Sequence, residues 1–164
     1  MTSHILYLVF IIGFVNTFED VHYMTSQDEF ILCRSCGSDV SSSESIIAKS
    51  STRAHYSFND TLFSKDVLVQ VFATDVFFRY PVISFSLSTC VPTGEWEEST
   101  SWFPGYRWKP CVCPDCGAHV GFVFEPVNPG LVKPSKTFYG LILTTLISES
   151  FLNSLTVYPE GTTY

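Results

Sequence analysis

The segment SWFPGYRWKPCVCPDCGAHVGF, residues 101–122, contains two tryptophans, three other aromatic residues and three cysteines. Its unit CPDCG (113–117) repeats the pattern of CRSCG (33–37) near the start of the chain. The C-x-x-C spacing lets two thiolates bind one tetrahedral ion, and the glycine permits a left-handed turn that points backbone N–H groups at sulfur. Two such units predict one closed, structural zinc site per chain, and its four ligands are Cys33, Cys36, Cys113 and Cys116.

Disulfides are the competing interpretation of these cysteines, because an oxidising compartment favours them over thiolates. Thiols two residues apart rarely form good structural disulfides, so the paired units favour metal. Cys90 and Cys111 lie outside both units. We predict a disulfide between them, with two unrelated buried thiols as the alternative.

Composition limits the size and the partners of the protein. The chain has 164 residues, of which 46% are hydrophobic and 16% aromatic, which indicates a single globular domain. The net charge is -7 with only 9 lysines and arginines, and no basic run occurs. This composition excludes nucleic acid as an expected partner.

The N-terminal segment has an unbroken apolar run from Ile5 to Val15. The run is too short to span a bilayer, so no stable membrane anchor is expected, and its shape predicts a signal peptide over residues 1–20 and a secreted protein. A buried N-terminal strand or helix is the alternative. The sequon Asn59-Asp60-Thr61 agrees with secretion and predicts a glycoprotein.

The remainder of the chain has the pattern of β-strands. Runs of β-branched and aromatic residues, bounded by Asp, Pro, Ser or Thr, predict strands over 67–72, 76–80, 82–88 and 119–125. The apolar segment 137–147 contains Gly140, which argues against a long helix. No segment keeps a helical period over three turns, so the predicted fold class is all-β.

The string SWFPGYRW, followed by C-x-x-C-x-x-His-x-Gly-aromatic and then FYGL, resembles the thalidomide-binding CULT domain of the cereblon family, and more closely its stand-alone secreted members. The resemblance covers residues 28–148 and leaves 149–164 as a C-terminal tail. It implies a β-tent, in which two antiparallel sheets are pinned together by a four-cysteine zinc site. This agrees with the fold predicted from the strands and the C-x-x-C units.

The resemblance also implies an aromatic cage for a flat cyclic imide, such as a glutarimide, a uracil ring or a modified peptide end. Trp102 and Trp108 match two walls, Phe122 takes the place of a third tryptophan, and Phe124 matches the floor. Backbone groups of Thr100 and Trp102 would bind the imide. A plain hydrophobic core is the alternative interpretation of these aromatic residues.

This chain departs from the family at the rim of the cage. Thr100 stands where the family has histidine, and the family's Asn-Pro-His loop falls on residues 73–75. Because Phe122 is also smaller than tryptophan, we expect uridine and glutarimides to bind about 1 to 2 kcal/mol more weakly than in members with three tryptophans.

Two classes of function follow from these patterns. The first is a non-enzymatic binding module for small cyclic imides. The alternative is an enzyme like the methionine sulfoxide reductases, which share the β-tent, but no cysteine follows Cys116 to serve as a nucleophile. Cereblon acts in ubiquitin ligases through an upstream domain, and few residues precede Cys33, so no ligase adaptor is expected. His119 is expected to be a packed, hydrogen-bonded core residue rather than a fifth metal ligand.

Overall fold

A computed structural model describes residues 28–74, 78–130 and 136–155. The predicted signal peptide, the first residues of the predicted strand 76–80 and the end of the predicted tail lie outside these ranges. Within them the chain forms strands and one short helix, in the order β1 (Phe30–Cys33), β2 (Asp39–Ser42), β3 (Ile46–Ile47), β4 (Tyr56–Leu62), β5 (Lys65–Ala73), β6 (Arg79–Phe85), β7 (Val91–Pro92), β8 (Tyr106–Val112), β9 (His119–Pro126), β10 (Phe138–Ile142), β11 (Leu146–Ser148) and α1 (Glu149–Ser154).

The strands form two sheets. The smaller sheet has the order β11-β1-β2, and the larger has the order β4-β5-β6-β10-β9-β8-β7, with the short β3 also paired to β6. Every pairing is antiparallel. The structure therefore confirms the predicted all-β class with two antiparallel sheets.

Alternation along the strands of the larger sheet separates two hydrophobic clusters. In β5, Val67 and Val69 join Ile31 of the smaller sheet in the cluster between the sheets, whereas Phe72 faces the opposite side. In β9, Val120 also joins the cluster between the sheets, because a register shift against β8 puts it out of step with Phe122 and Phe124. The opposite face carries a second cluster, which consists of Phe72, Val82, Phe103, Tyr106, Phe122, Phe124, Phe138 and Ile142. The period of two thus places Phe138 of β10 on the same face as Phe122 and Phe124, and leaves Tyr139 on the face toward the smaller sheet.

The strands predicted over 76–80 and 82–88 are wrong as two elements, because Arg79–Phe85 forms one strand that continues through Pro81. Pro81 is paired with Val71 of β5, and the pairing of β6 with β10 begins only at Val82. Proline has no N–H to donate, so it is tolerated where one side of the strand needs no ladder hydrogen bond.

The apolar segment 137–147 connects the two sheets. It forms β10, then a 3₁₀ turn over Leu143–Thr145, and then β11 in the smaller sheet. Within β10, Gly140 leaves room for Phe124, since a Cβ built on the glycine lies 3.0 Å from the Phe124 ring. This one apolar segment therefore contributes a strand to each sheet.

Cys90 and Cys111 form a disulfide, with their Cα atoms 5.5 Å apart. This confirms the predicted bond. Cys111 is paired with Pro92 in the β7–β8 ladder, so the bond closes the loop beside this short edge strand. With a sequence separation of 21, the chain-entropy model gives a stabilisation of about 3 kcal/mol.

The part of the chain that the structure describes contains no helix long and apolar enough to cross a membrane.

Candidate functional site

The two C-x-x-C-G units form matching turns at the ends of β1 and β8. Gly37 and Gly117 adopt positive φ angles of 80° and 72°, which glycine tolerates without cost. Each glycine N–H donates to the carbonyl of the first cysteine of its unit, at 2.8 Å for Cys33 and 3.0 Å for Cys113. These turns are the ones that the spacing predicts.

Four cysteine sulfurs meet between the two turns. The Sγ atoms of Cys33, Cys36, Cys113 and Cys116 all lie within 4.8 Å of one another. The Cys33–Cys116 and Cys36–Cys113 sulfur distances are 3.8 Å and 3.6 Å. A tetrahedral ion with Zn–S bonds of about 2.3 Å needs sulfurs about 3.8 Å apart, so the donor set fits a four-thiolate zinc site.

The protonation of these thiols depends on their surroundings. Hydrogen bonds from the Ser38 side chain and backbone lower the pKa of Cys36 to about 6. Burial raises the pKa of Cys33. A backbone hydrogen bond at Ala118 is the largest single influence on Cys116 and lowers its pKa, but the neighbouring Cys36 sulfur, desolvation and the other two cysteine sulfurs together outweigh it, and the net pKa rises to about 12. Each thiolate thus disfavours ionisation of the neighbouring thiols. A bound cation would offset this repulsion between negative charges.

An aromatic cavity lies on the face of the larger sheet that is turned away from the smaller sheet. Its volume is about 560 Å³. All five residues predicted to bind a ligand line it, namely Thr100, Trp102, Trp108, Phe122 and Phe124. The structure thus brings the residues of β8, β9 and the 100–105 loop to one place.

Ring contacts hold the cavity walls in position. Trp102 stacks on the fully buried Phe72, with centroids 4.6 Å apart and planes 4° from parallel. Phe122 meets both tryptophans edge-on, at 4.8 Å from Trp102 and 5.3 Å from Trp108. Such pairs add about 0.5–1.5 kcal/mol each beyond buried area, so the walls are well fixed.

Several polar groups at the cavity make no hydrogen bond within the described part of the chain. These are the Thr100 carbonyl, the Trp102 N–H, the Thr74 Oγ1 and the Trp108 Nε1, of which the last two are buried. The Trp102 carbonyl, in contrast, accepts from the Ser51 hydroxyl. Unpaired polar groups at an apolar cavity can orient a ligand that supplies the missing partners.

His119 differs from its sequence prediction. It is not a packed core residue, because its side chain is exposed and lines the cavity. Its ring meets Phe122 edge-on at 4.9 Å, and Nε2 lies 2.8 Å from the Gly121 carbonyl. Partial desolvation lowers the pKa of His119, although the Gly121 contact opposes this. As the first residue of β9, His119 points away from the buried Val120 that follows it.

Three cavity residues were not predicted from the sequence: Arg53, Tyr80 and Pro110. Arg53 lies in the loop before β4, and Tyr80 lies in β6 and contacts Trp102 at 5.9 Å. Pro110 follows two residues after Trp108, so strand alternation could have placed it on the same face. Tyr80 reaches the cavity through long-range sheet pairing and Arg53 through a loop hydrogen-bonded to Ser101, and no local motif marks either residue.

The fold and the site define a two-sheet, all-β domain that combines a four-cysteine cluster with an aromatic cavity. The chain is homologous to cereblon proteins. It is 30% identical to cereblon of Drosophila melanogaster over 144 residues, which are 86% of this chain and 22% of that protein. It is 29% identical to the Drosophila yakuba protein with the same coverage, and 44% identical over 62 residues to that of Drosophila persimilis, across 38% of this chain and 9% of the relative.

The chain spans about a fifth of the length of the first two relatives. No protein-family model matches it. The homology supports the cereblon resemblance and is consistent with a CULT-type domain.

Proposed function

We propose that this chain is a zinc-containing, secreted CULT-type module whose aromatic cavity captures planar cyclic imides or uracil-like rings, such as glutarimides and uridine, or modified peptide ends. One observation carries the proposal. Trp102, Trp108 and Phe122 line a single cavity of about 560 Å³ in which Phe124 is almost fully buried. A flat ring of this class has two apolar faces and a polar edge. The cavity offers aromatic walls for the faces and unpaired backbone groups for the edge.

The polar edge of the ligand has defined partners in this proposal. The unpaired Thr100 carbonyl would accept from the imide N–H, and the unpaired Trp102 N–H would donate to a ring carbonyl. Apolar walls that exclude water make each of these hydrogen bonds count for more. The arrangement favours rings with adjacent donor and acceptor groups over purely apolar rings of the same size.

The same residues support binding rather than catalysis. Four thiolates fill the coordination of a tetrahedral zinc and leave no position for substrate, so the ion would stabilise the fold. The described cavity lining includes no cysteine or serine, and its threonines, Thr74 and Thr100, make no hydrogen bond to His119 that would activate a nucleophile. We therefore propose a non-enzymatic module. Zinc as the metal is tested by elemental analysis of folded protein, with one equivalent per chain expected.

The binding test is a titration of uridine and of a glutarimide, followed by tryptophan fluorescence. Trp96 is a source of background, because it contacts Arg107 and Lys109, which alternate with Trp108 and so lie on the other face of β8. Trp96→Phe removes this signal and provides the reference protein. In it, both ligands should change the emission of Trp102 and Trp108 in a saturable manner.

Trp108→Ala on this reference should weaken binding by more than about tenfold, because one wall of the cage is lost. Zinc content and the circular dichroism spectrum should stay those of the reference, which shows that the variant is folded. Unchanged affinity in a folded Trp108→Ala protein would mean that these aromatic residues are only a hydrophobic core and that the proposed ligand class is wrong.

Secretion and glycosylation are part of the same proposal. Asn59 is exposed on β4, which is the edge strand of the larger sheet, so a glycan there would meet no obstacle within the described part of the chain. Expression in a eukaryotic secretory host should give protein in the medium that loses mass on treatment with an N-glycosidase. Asn59→Gln should abolish the mass loss, and a glycan-free native protein would contradict the assignment.

A further inference from the structure

Arg53 brings a fixed positive charge to the rim of the aromatic cavity. Its side chain lines the cavity, and its Nη1 donates a hydrogen bond of 2.7 Å to the carbonyl of Ser101. Ser101 is almost fully buried and directly precedes Trp102. The guanidinium is therefore anchored to the same backbone segment that carries one wall of the cavity.

No described negative charge neutralises this arginine. Arg53 makes no ion pair within residues 28–74, 78–130 and 136–155, and none of the cavity-lining residues is an aspartate or glutamate. Glu98 shares a neighbouring surface pocket with Arg53 but does not lie within ion-pair distance. Desolvation lowers the pKa of His119 and so disfavours the charged form of its imidazole. The described cavity lining therefore carries the charge of Arg53 alone.

The hydrogen-bonding capacity of Arg53 is mostly unused. A guanidinium has five N–H donors in a planar fork, and only Nη1 of Arg53 makes a hydrogen bond among the described residues. This fork matches the oxygens of phosphate and carboxylate groups, which arginine binds in a bidentate manner. A neutral ring bound in the cavity would leave these donors to water.

We propose that the cavity prefers planar imide rings that carry an anionic substituent over their neutral counterparts, with Arg53 as the residue that determines this preference. Uridine 5′-monophosphate represents the phosphate form of this chemistry. The inference rests on the proposed function, because it assumes that the ring occupies the aromatic cage. The net charge of -7 opposes anions at long range, but salt at about 0.15 M screens that field beyond about 8 Å, whereas a direct Arg53 contact persists.

The test compares uridine with uridine 5′-monophosphate by isothermal titration calorimetry at about 0.15 M ionic strength. The nucleotide should bind about five- to tenfold more tightly to the unmodified protein. In Arg53→Gln the ratio of the two affinities should fall to about one, and this ratio is the readout because the variant also loses the hydrogen bond to the Ser101 carbonyl. Lys65→Gln is the matched control, since it removes the same charge at the start of β5, outside the cavity lining, and should keep the preference.

Ribose 5-phosphate, which lacks the ring, distinguishes ring-directed binding from simple phosphate capture and should not bind measurably. Equal or weaker binding of the nucleotide relative to uridine would overturn this inference while leaving the proposed function intact. A preference that survives in Arg53→Gln would overturn the assignment of Arg53. If neither uridine nor its nucleotide binds, the proposed function itself fails.

Discussion

Gly121 lies where β9 and β10 approach each other closely, directly before the cavity residue Phe122. A Cβ built on Gly121 would lie 2.4 Å from the Gly140 carbonyl oxygen and 2.8 Å from the Leu141 Cα. Both are backbone atoms of the paired strand, so no side-chain rotation can relieve the overlap. Because glycine has only a hydrogen atom where other residues have a Cβ, β9, which carries Phe122, can pair closely with β10.

We predict that Gly121→Ala lowers the free energy of unfolding by about 1–3 kcal/mol, because the ladder between β9 and β10 must move apart. Denaturant unfolding followed by circular dichroism measures this. Gly130→Ala is the control, since a Cβ at Gly130 meets nothing within 4 Å and its φ is not positive. Equal losses in both variants would contradict the steric explanation.

At the scale of elements, the β4–β5 hairpin has an unusual turn. Its two central residues, Phe63 and Ser64, have φ angles of 53° and 59°, although such two-residue turns favour Asn-Gly. Phe63 is partly buried and packs against the cluster between the sheets. Packing of this ring offsets the cost of the left-handed backbone, whereas Ser64 contributes only a 3.4 Å hydrogen bond to Glu29.

Ser64→Gly should therefore stabilise the protein by about 1 kcal/mol, because glycine adopts positive φ without the steric cost of a Cβ. The thermal midpoint should rise by about 2–4 °C for a chain of this size. Phe63→Gly relieves the same backbone strain but removes a packed ring, and its midpoint should fall. A lower midpoint in Ser64→Gly would show that loss of the hydrogen bond to Glu29 costs more than the relief of backbone strain gains.

At the scale of the whole molecule, the four-cysteine cluster joins the two sheets. Cys33 ends β1 of the smaller sheet, and Cys113 directly follows β8 of the larger one. Both are buried, while Cys36 and Cys116 are exposed. A bound ion therefore links the sheets at one end, and the Cys90–Cys111 disulfide secures only the β7–β8 side of the larger sheet.

Removal of the metal with a chelator should unfold the domain, since such sites contribute on the order of 10 kcal/mol to folding. Acid should act in the same direction, because protons compete for the thiolates. Without a bound ion the pKa of Cys36 is lowered to about 6, so its thiolate is present at neutral pH and is lost as the pH falls through 6; a bound cation shifts this loss to lower pH. Circular dichroism during chelation measures the loss, and added zinc should reverse it. A chelated protein with an unchanged unfolding midpoint would contradict this role.

Local sequence patterns determined much of this protein. The C-x-x-C-G units predict their own turns, because the two cysteines, the two residues between them and the glycine form each turn without contacts from distant segments. Alternation within 119–125 predicts both the strand and the shared face of Phe122 and Phe124. The family resemblance carried by the SWFPGYRW string implies that Trp102 and Trp108 are cavity walls, and both line the cavity; their role toward a ligand remains a prediction.

Tertiary structure alone decided the features that depend on register between distant segments. Pro81 does not end β6, because β10 pairs with that strand only from Val82 onward. His119 lies at the cavity rather than in the core, and Arg53 reaches the same cavity from a loop far away in the chain. A short sequence window specifies the period of a strand and the residues of a turn. The packing of the whole chain decides which strands become neighbours, and therefore which charged side chain reaches the cavity.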